Sequence, residues 1–194
     1  MRGYRALLPF AAICLIGAAP VSTPLGTAFH RLSQGRTIRA TLPADTRRVA
    51  IYYGASWCGP CRAFVPELIA AYPRLRARGV EVLFVSDDAT CAAALDYARV
   101  SRMPWLLLPC DRQRRRHLRM LGGKALPGIV VVDRQGRQVA DSWEPDDHSR
   151  PRRILNALLS APSPAALTVR RYPRRAGRDG RCNSERCGCL AYPG

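Results

Sequence analysis

Two thiols separated by two residues, Cys58 and Cys61 in Trp57-Cys58-Gly59-Pro60-Cys61, are the side chains with the most chemistry to offer. The apolar run Val49 to Tyr53 leads into them and a helical pattern follows, which predicts the first thiol at or just before a helix N-terminus. Unpaired N–H groups and the positive dipole end of a helix favour a thiolate there, lowering a cysteine pKa from its free value of about 8.5. The spacing lets one turn bring both sulfurs within bonding range, so a disulfide forms and breaks without large backbone motion. The pair therefore reads as a redox couple, with Cys58 the attacking and Cys61 the resolving thiol. Zinc would need two further ligands, and His30, His117 and His148 are not paired at ligand spacing. A metal reading would have to recruit the distant Cys182, Cys187 or Cys189, so neither metal nor cofactor is expected at the motif.

The elements that must position these thiols follow from periodicity and punctuation. An N-terminal hairpin is expected around Arg36 to Tyr53, then a helix from Pro60 to Arg78 and a strand from Val80 to Val85. A helix from Thr90 to Arg99 precedes a strand near Trp105 to Leu108 and an arginine-rich helix. Gly128 to Asp133 and Gln138 to Ser142 read as a hairpin turning through Arg134-Gln135-Gly136, and Pro151 opens a closing helix that runs to Ser160. Strands alternating with helices predict an α/β fold, a central mixed sheet with helices on both faces. Pro66 should bend the first helix, because it removes an N–H and crowds the preceding turn.

The segment Ala55 to Leu68, with its Trp-Cys-Gly-Pro-Cys core, resembles the active-site segment of the thioredoxin superfamily, in its tryparedoxin and nucleoredoxin branch. Pro66, five residues after the second cysteine, is similar to the proline of the first helix in thioredoxins. Val80 to Ser86 with Asp87-Asp88, and Met103-Pro104-Trp105, resemble further tracts of that branch, while Leu126-Pro127-Gly128 ahead of Ile129 to Asp133 looks like the cis-proline loop and its strand. The resemblance covers roughly residues 35–160 and implies a thioredoxin-like fold with a cis bond before Pro127. It implies that Trp57, Gly59, Pro60, Leu126 and Pro127 contact substrate, the loop pairing with an extended substrate strand. Two positions depart from thioredoxin itself. Tyr52 stands six residues before Cys58, where thioredoxin has a buried acid, which leaves the proton acceptor for Cys61 open between water and a carboxylate such as Glu67. Gly128 replaces a frequent threonine and leaves the substrate contacts of that loop open.

The ends and the charge bound the rest. A chain of 194 residues suffices for one domain with a proper core. Arg2 and Arg5 ahead of the apolar stretch Ala6 to Ala19 have the layout of a secretory signal, so residues 1–28 are expected to be a signal peptide or an N-terminal membrane anchor. Export, to the bacterial periplasm, is the corresponding expectation. Loss of that leader would remove Cys14 and leave seven cysteines, an odd number, with Cys91 and Cys110 either a structural pair or two buried thiols. Residues 161–194 are rich in Arg, Pro and Gly without apolar periodicity, so they are expected to be a disordered tail outside the domain at 35–160. The formal charge of +17 comes from 31 basic residues against 14 acidic, but the arginines are scattered and lack an aromatic platform, so no dedicated nucleic-acid site is expected. Arg112, Arg114, Arg115, Arg116 and Arg119 read as a solvated helix face, with Leu118 and Leu121 turned inward.

These observations lead to an exported thiol:disulfide oxidoreductase acting on disulfide-containing protein substrates, with an upstream thiol–disulfide electron donor or acceptor. The alternative is a redox-inert thioredoxin-like module that only binds a partner through the same loop.

Overall fold

A seven-residue strand buried along its whole length, Arg48–Gly54 (β3), decides the architecture. Its side chains alternate between two apolar layers, so helices must cover both faces of the sheet. Ala50 and Tyr52 point into one layer with Phe64, Leu68 and Leu75; Val49, Ile51 and Tyr53 point into the other with Leu118 and Trp143. The computed structural model describes residues 25–160 except 147.

Along the chain, β1 (Phe29–Ser33) and β2 (Arg36–Ala40) precede β3, which is followed by α1 (Gly59–Ala77) and β4 (Val80–Ser86). Then come α2 (Cys91–Val100), β5 (Leu106–Leu107), α3 (Arg112–Arg119), β6 (Gly128–Asp133), β7 (Gln138–Asp141) and α4 (Pro151–Ser160). The sheet order is β2-β1-β5-β4-β3-β6-β7, with β3, β4 and β5 parallel and the remaining pairings antiparallel. Helices α1, α2 and α4 supply the first layer through Leu68, Tyr97 and Leu155, while α3 supplies the second through Leu118. This is the two-sided α/β arrangement that the sequence predicts.

The N-terminal strands differ from expectation. Arg36–Ala40 pairs with Phe29–Ser33 and not with β3, through a two-residue turn in which Gln34 and Gly35 both have positive φ, as a tight hairpin of this twist requires. Leu25 and Phe29 are 2% and 1% exposed, so the folded unit begins ahead of residue 35. The physical reason is charge-assisted anchoring that no local pattern reveals. The Arg114 guanidinium donates to the carbonyls of Leu25 (2.6 Å) and Ala28 (2.8 Å) and lies over the Phe29 ring.

Glu81 is a fully buried acid on β4, tolerated because it is satisfied from several sides. It accepts from Tyr72 Oη at 2.7 Å, from the Val82 N–H at 3.0 Å and from Arg31 of β1 at 3.1 Å. The ion pair ties the N-terminal hairpin to the centre of the sheet. Helix α1 passes through Pro66 and Pro73 as one 19-residue helix, and the Leu126–Pro127 bond is cis, as the family resemblance implies. Among the described residues no helix is long and apolar enough to cross a membrane. The tail 161–194 and its three cysteines lie outside the described residues.

Candidate active site

Central strand β3 delivers the dithiol to the carboxyl edge of the sheet, where α/β folds commonly place ligands. Cys58 is the N-cap of α1; its backbone is extended, and its Sγ accepts a hydrogen bond from the Cys61 N–H at 3.2 Å. Gly59 and Pro60 form the first turn, where a proline's missing N–H goes unneeded, so the motif starts the helix it needs. Cys58 and Cys61 are disulfide-bonded across a Cα separation of 5.2 Å. The two sulfurs are not equivalent. Cys58 is 6% exposed and Cys61 fully buried, which leaves Cys58 the side of the pair nearer to solvent.

Ala55 and the partly buried Leu126 pack directly on the two cysteines, so the cis-proline loop and the dithiol form one small cluster. Trp57 stands 65% exposed at its edge, leaving Ala55 and Leu126 as the apolar cover. Gly59 and Pro60 are exposed while Pro127 is buried behind Leu126. The residues singled out from sequence thus fall within one neighbourhood.

Two supports of this neighbourhood escape sequence reasoning. The first is Asp88, 2% exposed, whose carboxylate accepts from the Ser56 N–H (3.0 Å), Ser56 Oγ (2.7 Å) and Ser86 Oγ (2.7 Å). It fixes the loop two residues before Cys58, and Arg62 of α1 closes the same loop from outside by donating to the Ser56 carbonyl at 2.7 Å. The second is Trp143, whose indole N–H donates to the Ala125 carbonyl at 3.0 Å and whose ring lies against Tyr53. Gly122, Gly123 and Gly128 surround that ring; a Cβ on Gly128 would sit 2.1 Å from Trp143 Cζ2. Residue 128 is therefore glycine because an indole occupies the space a side chain would take. Gly128→Ala is expected to destabilise the protein by about 1–3 kcal/mol, the usual range for overpacking a well-filled core, read as a lowered midpoint in denaturant. An unchanged midpoint would remove Trp143 as the prop of the loop.

The proton acceptor for Cys61 is narrowed by the same geometry. Glu67 lies on the exposed side of α1, where Arg152 donates to its carboxylate at 2.7 Å and holds its pKa below the ordinary range. It does not face the buried Cys61. Tyr52 is fully buried, and desolvation raises its phenol so far, with Tyr97 adding to the effect, that it stays protonated in the working pH range. Neither group is a base for the dithiol.

The arginine-rich helix is also not the uniformly solvated face that its composition suggests. Besides the Arg114 anchor, Arg115 donates to the Asp88 carbonyl at 3.0 Å. Arg119 pairs with Asp87 at 2.8 Å and lies over the Tyr53 ring. Long apolar stems and planar heads let these side chains act as struts between α3 and the active-site loops. Arg112 and Arg116 remain exposed.

A family model described as thioredoxin-like matches residues 46–138. The chain is 35% identical over 99 residues to probable nucleoredoxin 1 of Arabidopsis thaliana, covering 50% of this chain and 17% of that one. It is 32% identical over 111 residues to the nucleoredoxin of Bos taurus, covering 55% and 25%. It therefore spans a quarter or less of the length of these two curated relatives. Among solved structures, tryparedoxin II of C. fasciculata aligns with a TM-score of 0.52 at 32% identity, over 61% of this chain and 81% of that one. The tryparedoxin of Trypanosoma brucei aligns with a TM-score of 0.55 at 27% identity, over 74% and 94%. The expectation of an exported, periplasmic protein is corrected by these comparisons: the relatives are nucleoredoxins and tryparedoxins, and none of them supports export. The apolar stretch behind that expectation lies outside the described residues, and Leu25, inside the range 1–28, is buried in the domain core.

Proposed function

Because the chain belongs to the thioredoxin superfamily, in its tryparedoxin and nucleoredoxin-like branch of thiol–disulfide oxidoreductases, we propose that it exchanges disulfides with protein substrates through Cys58 and Cys61. One observation carries this reading. Cys58 caps the N-terminus of a 19-residue helix with its own sulfur, next to a disulfide partner three residues on. In the reduced protein the Cys58 thiolate attacks a substrate sulfur; a mixed disulfide forms and the other substrate sulfur leaves as a thiolate, which takes a proton from solvent. Cys61 then loses its proton and attacks Cys58 Sγ. That expels the second substrate thiol and closes the Cys58–Cys61 disulfide. Two electrons pass to the substrate, and an upstream dithiol returns them to the protein. Reversal of the same steps oxidises a substrate.

Leu126 and Pro127 hold the extended substrate strand, and the exposed Trp57 with Gly59 and Pro60 forms the other wall of the groove. The closed disulfide is covered by Ala55 and Leu126, which favours attack from the open side at Cys58.

The test is differential alkylation of the reduced protein near neutral pH, with each cysteine followed by peptide mass spectrometry. Cys58 should react at least about tenfold faster than Cys61, since only Cys58 combines solvent access with the helix terminus. Equal rates, or a faster Cys61, would overturn the assignment. A dithiol that does not equilibrate with glutathione at any ratio would leave a binding module in place of an enzyme.

A further inference from the structure

A second disulfide, unused by this mechanism, joins Cys91 and Cys110. Both cysteines are exposed, unlike the Cys58–Cys61 pair. Cys91 is the first residue of the ten-residue α2, capped by Thr90, whose side chain accepts from the Ala93 N–H at 3.1 Å. Cys110 immediately precedes Asp111, the N-cap of α3. The bond thus sits where two helices begin, and it borders an open cleft of about 90 Å³ whose walls include Ser86, Arg112 and Arg115. Asp111 also lines the cleft, but its Oδ1 is engaged with the Arg114 N–H. Arg115 is engaged with the Asp88 carbonyl, whereas Arg112 makes no ion pair among the described residues.

A passive staple would be consistent with the bond alone. An exposed disulfide opening onto a cleft with a free guanidinium at its rim is more than a staple requires. We propose that Cys91–Cys110 is a second exchange site, taking small thiols that carry carboxylates into the cleft beside Arg112. The incoming thiolate attacks Cys110 Sγ; the Cys110–Cys91 bond breaks, and Cys91 leaves as a thiolate at the start of α2, where helix N–H groups stabilise it. A second small thiol attacks the mixed disulfide at the sulfur of the first, releasing Cys110 and a symmetrical small-molecule disulfide. Two thiols are oxidised to one disulfide and one protein disulfide becomes two thiols, so electrons and protons balance.

The cleft shares Ser86 with the brace of the dithiol. Ser86 donates to the Asp88 carboxylate, which also holds Ser56, two residues before Cys58.

The experiment uses full-length Cys58→Ser protein, so that the dithiol cannot relay electrons, with reduced glutathione or the carboxylate-free 2-mercaptoethanol as probe. After acid quench and alkylation, Cys91 and Cys110 are followed by peptide mass spectrometry, with circular dichroism monitoring the fold. Expected is reversible opening of the pair in a still-folded protein, with early glutathione adducts on Cys110 and not on Cys91. Arg112→Ala should slow glutathione roughly threefold more than 2-mercaptoethanol, the effect of one carboxylate charge about 6 Å away in a water-like dielectric, since both thiols attack as thiolates and only glutathione adds carboxylates. Salt at about 1 M should erase that difference. A pair that stays closed in excess of either thiol, or that opens only when the protein unfolds, would show a structural staple and overturn the proposal. Equal slowing of both thiols by Arg112→Ala, or slowing of neither, would overturn its choice of ligand.

Discussion

Cys61→Ser should leave the protein able to start the reaction and unable to finish it. The Cys58 thiolate still attacks a substrate disulfide, but the side chain that would displace the mixed disulfide is gone, so the adduct accumulates. On a non-reducing gel the variant migrates as a covalent complex that dithiothreitol dissolves. Cys58→Ser should give no such complex and should lower turnover by on the order of 10³-fold or more, since covalent catalysis loses its nucleophile. The asymmetry follows from the position of Cys58 as N-cap and from the complete burial of Cys61. Equal trapping by the two variants would mean that either sulfur reaches substrate, which this cover does not permit.

Asp88→Ala should have the largest effect of any substitution outside the dithiol. The carboxylate, 2% exposed, satisfies a backbone N–H and a hydroxyl of the half-buried Ser56 and the hydroxyl of the buried Ser86, and alanine would leave all three donors without this acceptor. Unmet buried donors cost about 1–3 kcal/mol each before relaxation, so a net loss of roughly 3 kcal/mol is expected, seen as a melting temperature lower by about 10 °C. Disulfide exchange at a temperature where the variant remains folded should also slow by roughly tenfold, because Ser56 no longer fixes the approach to Cys58. Asp88→Asn keeps an acceptor for the Ser56 N–H and should recover part of both losses. A full melting temperature with normal exchange in Asp88→Ala would show that the loop holds itself.

Local chemistry made much of the site legible. Trp57-Cys58-Gly59-Pro60-Cys61 contains its own helix start and N-cap, Val49 to Tyr53 is apolar enough to be a central strand, and the tract around Pro127 carries a family likeness. Where a feature depends on partners far along the chain, sequence is silent. Asp87 and Asp88 carry a family likeness as an acidic pair, but nothing local assigns them a role until the fold brings Arg119 to one and Ser56 to the other, each 32 residues away. Trp143 appears as one more aromatic residue until Gly128, fifteen positions earlier, is found under its ring. The arginines of α3 look solvated because composition records charge and not reach; Arg114 finds its carbonyl acceptors 86 and 89 residues away. Strand β1 is short and only partly buried, and its pairing with β5 depends on a register set between residues 30 and 107, which no local alternation encodes.

The two outer strands of the sheet, β2 and β7, have a consequence for how copies of this protein meet one another. Among the described residues no strand pairs with the outer side of either, and an open edge is a template on which another strand can add. The two are guarded differently. On β2 the exposed Ile38 is bracketed by the exposed Arg36 and Arg39, a deterrent made of charge. On β7 the strand is four residues long and its register with β6 breaks between Val131 and Val132, a deterrent made of shape. Ions screen the first and leave the second untouched, because the Debye length falls from about 10 Å at 0.1 M salt to about 3 Å at 1 M. In concentrated salt the edge that opens to self-association is therefore β2, on the far side of the sheet from β7, and an oligomer built through it would leave the Cys58 edge of β3 uncovered.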